Sequence, residues 1–443
     1  MAMKSTPLES WVSGKIGNGT GPLTRERIEH HQRLMLQDTL AWARAKSSFY
    51  RRHLAGLSER EFSGLGDLYR IPFTTAEDIR LNPLHFLCVS QSEINRVVTL
   101  HTSGTTGMPK RIYFTREDQE LTVDFFHRGM STLVGPGERV LILLPGERPG
   151  SVGDLLAAGL QRLGTSAVVY GPVQDYPRAL EVMVAEDIDA LVGIPVQVLA
   201  LARQSKGRAA PRSVLLSTDY VPDSIKKELH LIWGCEVYTH YGMTEMGFGG
   251  GVECEARQGY HMREADLLFE VIDPKTGASL EEGETGEVVF TTLTRRGMPL
   301  IRYRTGDLSR FLPEQCPCGT VLKTMAPVRG RIAGRLELEP GIMLTMEDLD
   351  EALFPIRDLI DFSAELTWEH DLNHLQIRAT FPEGSGEHET GSIHRALKGI
   401  PVLRSSILEG RLKVRVTVRE GSPGTLNGST KRTMTDKRNS GIA

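Results

Sequence analysis

From Thr24 to about Leu57 (RERIEHHQRLMLQDTLAWARAKSSFYRRHL after the threonine) apolar positions recur at intervals of three and four, the period of an amphipathic helix. A PFTT turn follows, and EINRVVTLHT then reads as a strand that runs into a polar, glycine-containing stretch, TSGTTGMPK. Beyond it, Thr115 and Asp118 three residues on form a capping-box signature, so FTREDQELTVDFFHRGM is expected to open a helix.

Short apolar runs then alternate with helical patterns: RVLILLP, DLLAAGLQRLG, SAVVYG, YPRALEVMVAEDI, DALVGIP, VQVLALARQS, SVLLSTD, PDSIKKELHLIWG and EVYTHYG. Strand and helix in alternation predict an α/β fold with a parallel or mixed sheet covered by helices. From about Leu267 the segments LLFEVID and GEVVFTTL, separated by KTG and EEGETGE turns, predict a β-rich subdomain. In the last hundred residues, helix EDLDEALFP, strands HLQIRATF and RLKVRVTVRE, and helix HETGSIHRALKGI between them predict a small α+β unit. Residues 334–341 are the linker candidate, which gives a large domain over 1–335 and a small one over 336–443; the polar end from Gly421 onward is expected to be mobile.

Composition adds mostly exclusions. The chain has 443 residues, 24% of them charged, with a net charge of −4, so nothing favours a polyanion partner and nucleic acid is excluded as an expectation. The N-terminus lacks the apolar core of a secretion signal, and no apolar window is long enough for a membrane span. Five cysteines are too few and too odd in number for a disulfide scaffold. The expected location is the cytoplasm.

The chemistry concentrates in TSGTTGMPK. It is neither a Walker loop nor a dinucleotide fingerprint. Even so, the hydroxyls of Thr102, Ser103, Thr105 and Thr106, the amides freed at Gly104 and Gly107, and the charge of Lys110 together suit a polyphosphate.

That string resembles the phosphate loop of the adenylate-forming superfamily, the acyl-CoA synthetases and related AMP-binding ligases. YGMTE (Tyr241 to Glu245), YRTGDL (Tyr303 to Leu308) and RIAGR (Arg331 to Arg335) follow in the superfamily's order. SSFYRRHL, LYRIPFTTAEDIR, VECEARQGYH, VIDPKTG and CPCG narrow the resemblance to the phenylacetate-CoA ligase and coenzyme F390 synthetase branch. The resemblance implies a large N-terminal AMP-binding domain, a small mobile C-terminal lid, and an active site between them. It implies an ATP-dependent ligase that makes an acyl adenylate from a carboxylic acid and passes the acyl group to coenzyme A.

It also implies roles. The loop residues would hold the β- and γ-phosphates, Glu245 would ligate Mg²⁺, Thr244 would face the α-phosphate, and Tyr241 would stack on adenine. Asp307 would bind both ribose hydroxyls, and Arg335 would reach the nucleotide. Cys254, His261, Cys316 and Cys318 offer three thiolates and an imidazole, a donor set suited to closed, tetrahedral and therefore structural Zn²⁺. Related ligases carry the same pattern.

Some positions depart from the branch. The hinge reads Arg335, Leu336, Glu337, Leu338, with Glu337 as its acid. Aligned on Gly428 and Arg432, Ser429 stands where relatives have their C-terminal catalytic lysine, and Lys431 is assigned as its substitute. In the acyl pocket, PGERPGSVGDLL offers Arg148 as carboxylate partner or surface charge, and His240 lines the pocket or belongs to the core. Transfer to an acceptor other than coenzyme A, and a nucleotide-binding pseudoenzyme, stand as alternatives, and a homodimer is one admissible assembly.

Overall fold

The computed structural model describes residues 3–17, 21–57, 64–100, 108–384, 389–421 and 432–438. Within them the chain forms two compact units, each assembled from separated stretches: Met1–Gly137, Gly146–Ser166 and Tyr238–Val328, and Glu138–Pro145, Ala167–Val237 and Arg329–Ala443.

In the first unit, the Thr24 side chain accepts from the Arg27 amide and starts the helix Arg25–Lys46. The expected single helix to Leu57 is two helices. Ser47 takes extended backbone, donates its hydroxyl to the His85 carbonyl, and caps the new helix Ser48–His53 through the Tyr50 amide. Capping by serine competes with helix continuation, so the period alone could not show the break.

The predicted strand is present as Ile94–Leu100, and it pairs antiparallel with Lys110–Thr115, a strand that the sequence reading missed. Leu100 lies opposite Lys110 in that register. Thr115 and Asp118 form the expected capping box at the head of helix Arg116–Met130. The β-rich part is a three-stranded antiparallel sheet of Leu267–Ile272, Gly286–Thr292 and Tyr303–Ser309, while the smaller strands Gly251–Glu253, Tyr260–Met262 and Thr324–Met325 pair antiparallel with one another in a different sheet. Its core gathers Tyr50, Ile71, Phe86, Phe114, Met262, Phe290, Leu300 and Met325, all buried.

The second unit bears out the alternation. Strands Arg139–Ile142, Ala190–Gly193 and Ser213–Leu216 pair in parallel, and helices Tyr176–Ala185, Pro195–Ser205 and Asp223–Trp233 are those the pattern placed between and after them. The C-terminal part carries a four-stranded sheet in the order Leu412–Glu420, Leu372–Phe381, Asp361–Glu369, Thr435–Asp436. Asp361–Glu369 was absent from the sequence reading; the helix expected over HETGSIHRALKGI is present as Glu389–Gly399, and a second helix that the reading did not include, Pro401–Leu408, follows it from a proline.

The tail corrects the expectation of a mobile end, because residues 432–438 are docked. Thr435 and Asp436 extend the sheet in parallel beside Glu365 and Leu366, and Arg432 pairs with Asp350 and Asp361. Among the described residues no helix is long and apolar enough to cross a membrane.

Candidate active site and metal cluster

The strand Glu236–Tyr241 delivers the YGMTE stretch into a tight turn, Thr244–Met246, whose carbonyl at Thr244 accepts from the Gly247 amide. Gly242 is required here: a Cβ would lie 2.1 Å from the Phe248 carbonyl oxygen. The turn points Glu245 inward, where only 2% of it is exposed.

Glu245 is fully engaged. Its carboxylate forms an ion pair with Lys110, and Oε1 accepts from the Tyr303 hydroxyl at 3.2 Å. Lys110 Nζ also donates to the Tyr303 oxygen at 3.0 Å. From the backbone side, the Glu245 carbonyl accepts from Arg295 at 2.8 Å, and the same guanidinium donates to the Tyr113 carbonyl at 2.7 Å. Arg295 lies 4.4 Å from the centroid of the Phe114 ring.

Four residues earlier in the stretch, Tyr241 makes a second pair. The Tyr241 hydroxyl donates to Asp307 Oδ2 at 3.1 Å, and its ring stacks on Tyr260 with centroids 5.9 Å apart. Asp307 follows Gly306, whose φ of +74° lets strand Tyr303–Ser309 turn the carboxylate toward Tyr241. Thus Lys110, Tyr241, Thr244, Glu245 and Asp307 lie in one unit. Arg335 belongs to the other unit, at the end of the short turn Ile332–Gly334; burial raises the pKa of Glu347, and the charge of Arg335 opposes that rise. Thr102, Ser103, Gly104, Thr105, Thr106, Gly107, Ser429 and Lys431 lie outside the described residues.

Of the pocket candidates, Arg148 is exposed and its carbonyl closes a turn with the Ser151 amide. His240 sits beside Phe125 and Phe126, ring centroids 6.1 and 6.2 Å away, and burial holds its pKa down to about 4, leaving a neutral imidazole.

The cysteine cluster is closer than spacing could show. Ligand atoms of Cys254, His261, Cys316 and Cys318 all lie within 4.8 Å of one another, and all four residues are buried. Pairing of Thr324 opposite His261 brings the strands together, and the Thr324 hydroxyl lies 3.3 Å from His261 Nδ1, leaving Nε2 toward Cys318 at 3.4 Å. Burial lowers the His261 pKa to about 4 and raises those of the Cys254 and Cys316 thiols. Burial therefore favours the uncharged forms of these thiols and of the imidazole.

Sequence reasoning missed Arg295, Tyr260 and, as a site residue, Tyr303. Tyr303 and Tyr260 each carried a signal, since one opens YRTGDL and the other lies in VECEARQGYH, whereas Arg295 carried none.

The family of AMP-binding enzymes matches residues 78–293. A phenylacetate-coenzyme A ligase of Thermus thermophilus is 33% identical over 356 residues, 76% of this chain and 78% of that protein. Another, from Pseudomonas putida, is 28% identical over 402 residues, 84% of this chain and 88% of that one. A solved structure of 2-hydroxyisobutyryl-CoA ligase, in the postadenylation state with R3-HIB-AMP, has the same fold: TM-score 0.77 at 22% identity, covering 93% of this chain and 90% of that one. Fold and motifs therefore define an adenylate-forming, AMP-binding enzyme. Within that class the chain belongs to the phenylacetate-coenzyme A ligase family, the AMP-forming acid–thiol ligases.

Proposed function

We propose that this protein activates a carboxylic acid with ATP and transfers the acyl group to the thiol of coenzyme A, with an aromatic acid of the phenylacetate type as the first substrate to test. The observation that carries this reading is the convergence of Lys110, Glu245, Tyr241 and Asp307 from three separated motifs into one unit.

A carboxylate is a poor electrophile at neutral pH. Its oxygen attacks the α-phosphorus of ATP, pyrophosphate leaves, and the mixed anhydride that results has AMP as a good leaving group. The thiolate of coenzyme A then attacks the acyl carbonyl and AMP departs. Positioning and charge neutralisation do most of the catalytic work in such phosphoryl chemistry.

Asp307 accepts from the ribose hydroxyls, Tyr241 packs against adenine, and Thr244 faces the α-phosphate. Thr102, Ser103, Gly104, Thr105, Thr106, Gly107 and Lys110 hold the departing phosphates. Glu245 fits Mg²⁺: it is a buried carboxylate oxygen that already carries a cation, the donor a hard ion prefers. That metal supplies charge neutralisation on the phosphates. The small domain, residues 336–443, acts as a lid on the adenylation domain, 1–335, bringing Arg335 and Lys431 to the nucleotide.

Cys254, His261, Cys316 and Cys318 fit structural Zn²⁺, because four buried donors of the right kind converge with no carboxylate among them. Cytoplasmic location and a homodimer complete the reading.

The test is pyrophosphate release across aromatic and aliphatic acids, with and without coenzyme A, for wild type, Lys431→Ala and Ser429→Lys. Turnover that needs an acid and yields a thioester is expected, with Lys431→Ala slower on the order of a hundredfold. Turnover without thioester would identify another acceptor. Nucleotide binding without turnover on any acid would mark a pseudoenzyme.

A further inference from the structure

The carboxylate read above as a metal ligand already has a positive charge on it. Lys110 forms an ion pair with Glu245, and the Tyr303 hydroxyl touches both partners, 3.0 Å from Nζ and 3.2 Å from Oε1. The triangle is sealed: the Lys110 and Glu245 side chains are 12% and 3% exposed, and Tyr303 as a whole is 1% exposed. It is also held rigidly on two sides. Tyr303 pairs with Phe290 in the antiparallel sheet, their ring centroids 5.4 Å apart, and Arg295 grips the Glu245 carbonyl.

We infer that Lys110 is a placeholder cation on Glu245, displaced when the metal and nucleotide arrive, and that Tyr303 is the positioning residue which holds Glu245 through the exchange. The inference rests on the reading of Glu245 as the metal ligand.

The physical case has three steps. A buried carboxylate without a partner is strongly unfavourable, so Glu245 keeps a cation at all times. An ammonium and a divalent ion on the same oxygen repel each other across a site of low effective dielectric, so the second cation expels the first. The displaced ammonium sits on a flexible four-carbon stem at the head of the strand Lys110–Thr115, and the phosphates of the arriving nucleotide would offer it a new negative partner. Tyr303 is suited to stay put, because a phenol has one donor for Glu245 and lone pairs that accept from Lys110 while it is there.

The first measurement is Mn²⁺ binding to the nucleotide-free protein by electron paramagnetic resonance, for wild type, Lys110→Met, Lys110→Gln and Glu245→Gln. Removing the competing ammonium should tighten Mn²⁺ binding by about tenfold in either Lys110 variant, even though both lose adenylation rate. Glu245→Gln should weaken it. Lys110 variants that bind Mn²⁺ no tighter than wild type, with Glu245→Gln weakened, would overturn the placeholder and leave the metal reading standing. An unchanged affinity in Glu245→Gln would overturn the metal reading and this inference with it.

The second measurement is the Mg²⁺ dependence of pyrophosphate release in Tyr303→Phe. Loss of one hydrogen bond to a charged group should raise the Mg²⁺ half-saturation by about tenfold. A purely structural defect lowers the rate equally at every Mg²⁺ concentration, and that outcome would remove Tyr303 from the exchange.

Discussion

Arg295 shows how much a single unremarked residue can organise. Its guanidinium is buried, donates to the carbonyls of Glu245 and Tyr113, and lies under the Phe114 ring. One planar fork therefore fixes the turn that carries Glu245 to the strand that begins with Lys110. Arg295→Met should leave two buried carbonyls without donors and lower unfolding free energy on the order of 3 kcal/mol, measured by urea denaturation. Arg295→Lys should recover only part of it, since an ammonium cannot reproduce the forked geometry. Equal stability of all three proteins would refute the anchoring role. Lys110, Glu245, Tyr241 and Asp307 were legible because each sits inside a contiguous motif. Arg295 was not, because its partners are 50 and 182 positions away and nothing in its neighbours announces them.

At the level of elements, the cysteine–histidine cluster depends on strand register as much as on cysteine spacing. The strand Thr324–Met325 lies against Tyr260–Met262, which sets the turn bearing Cys316 and Cys318 beside His261 and Cys254. Cys316→Ser should lose zinc, measured by elemental mass spectrometry, and unfold at a lower temperature, because metal binding to a buried site contributes directly to folding. Cys88→Ser, at a buried thiol outside the cluster, should retain full zinc. Stoichiometric zinc in Cys316→Ser would show that this residue is no ligand. The donor set was readable in the sequence, whereas the short strands Gly251–Glu253, Tyr260–Met262 and Thr324–Met325 around it, and Lys110–Thr115 at the other site, were not. Lys110–Thr115 opens with two basic residues and runs straight into a capped helix, so its alternation is too short to separate from the loop before it.

On the scale of the molecule, the second unit is closed by charge. Arg432 donates from its backbone to Asp219 and from its side chain to Asp350 and Asp361, while Glu351 accepts from the Asp223 and Ser224 amides and so caps a helix that has no cap of its own. Three carboxylates around one guanidinium leave an excess of negative charge. Burial pushes Asp350 up from an ordinary 3.8 to about 7, with Asp219 and Asp361 adding to the rise and Arg432 opposing it. Because the folded pKa is the higher one, the folded state binds the extra proton. Its stabilising contribution is present at low pH and is lost as pH climbs from about 4 to about 7. Asp350→Asn should flatten that loss in a pH series of denaturation midpoints, and an unchanged profile would exclude Asp350 as its source. Arg432→Met should destabilise by about 3 to 5 kcal/mol, the range for breaking a buried ion pair. The α/β alternation was plain in the sequence. The docked tail was not, because its polar composition reads as solvent-facing and its partners are 71 to 213 positions distant.

The hairpin that flanks the phosphate loop also separates what folding demands of this stretch from what function demands. With Leu100 and Lys110 paired across it, the two ends of the loop are already adjacent, so a few inserted or deleted residues between them change closure entropy little, about 0.6 kcal/mol for each doubling in length. A slip of one position within the strands is another matter. It would turn Lys110 to the opposite face of the hairpin, away from Glu245. Folding therefore constrains the register of the paired strands, whereas the length of the loop is constrained by the phosphate contacts proposed for it and not by closure.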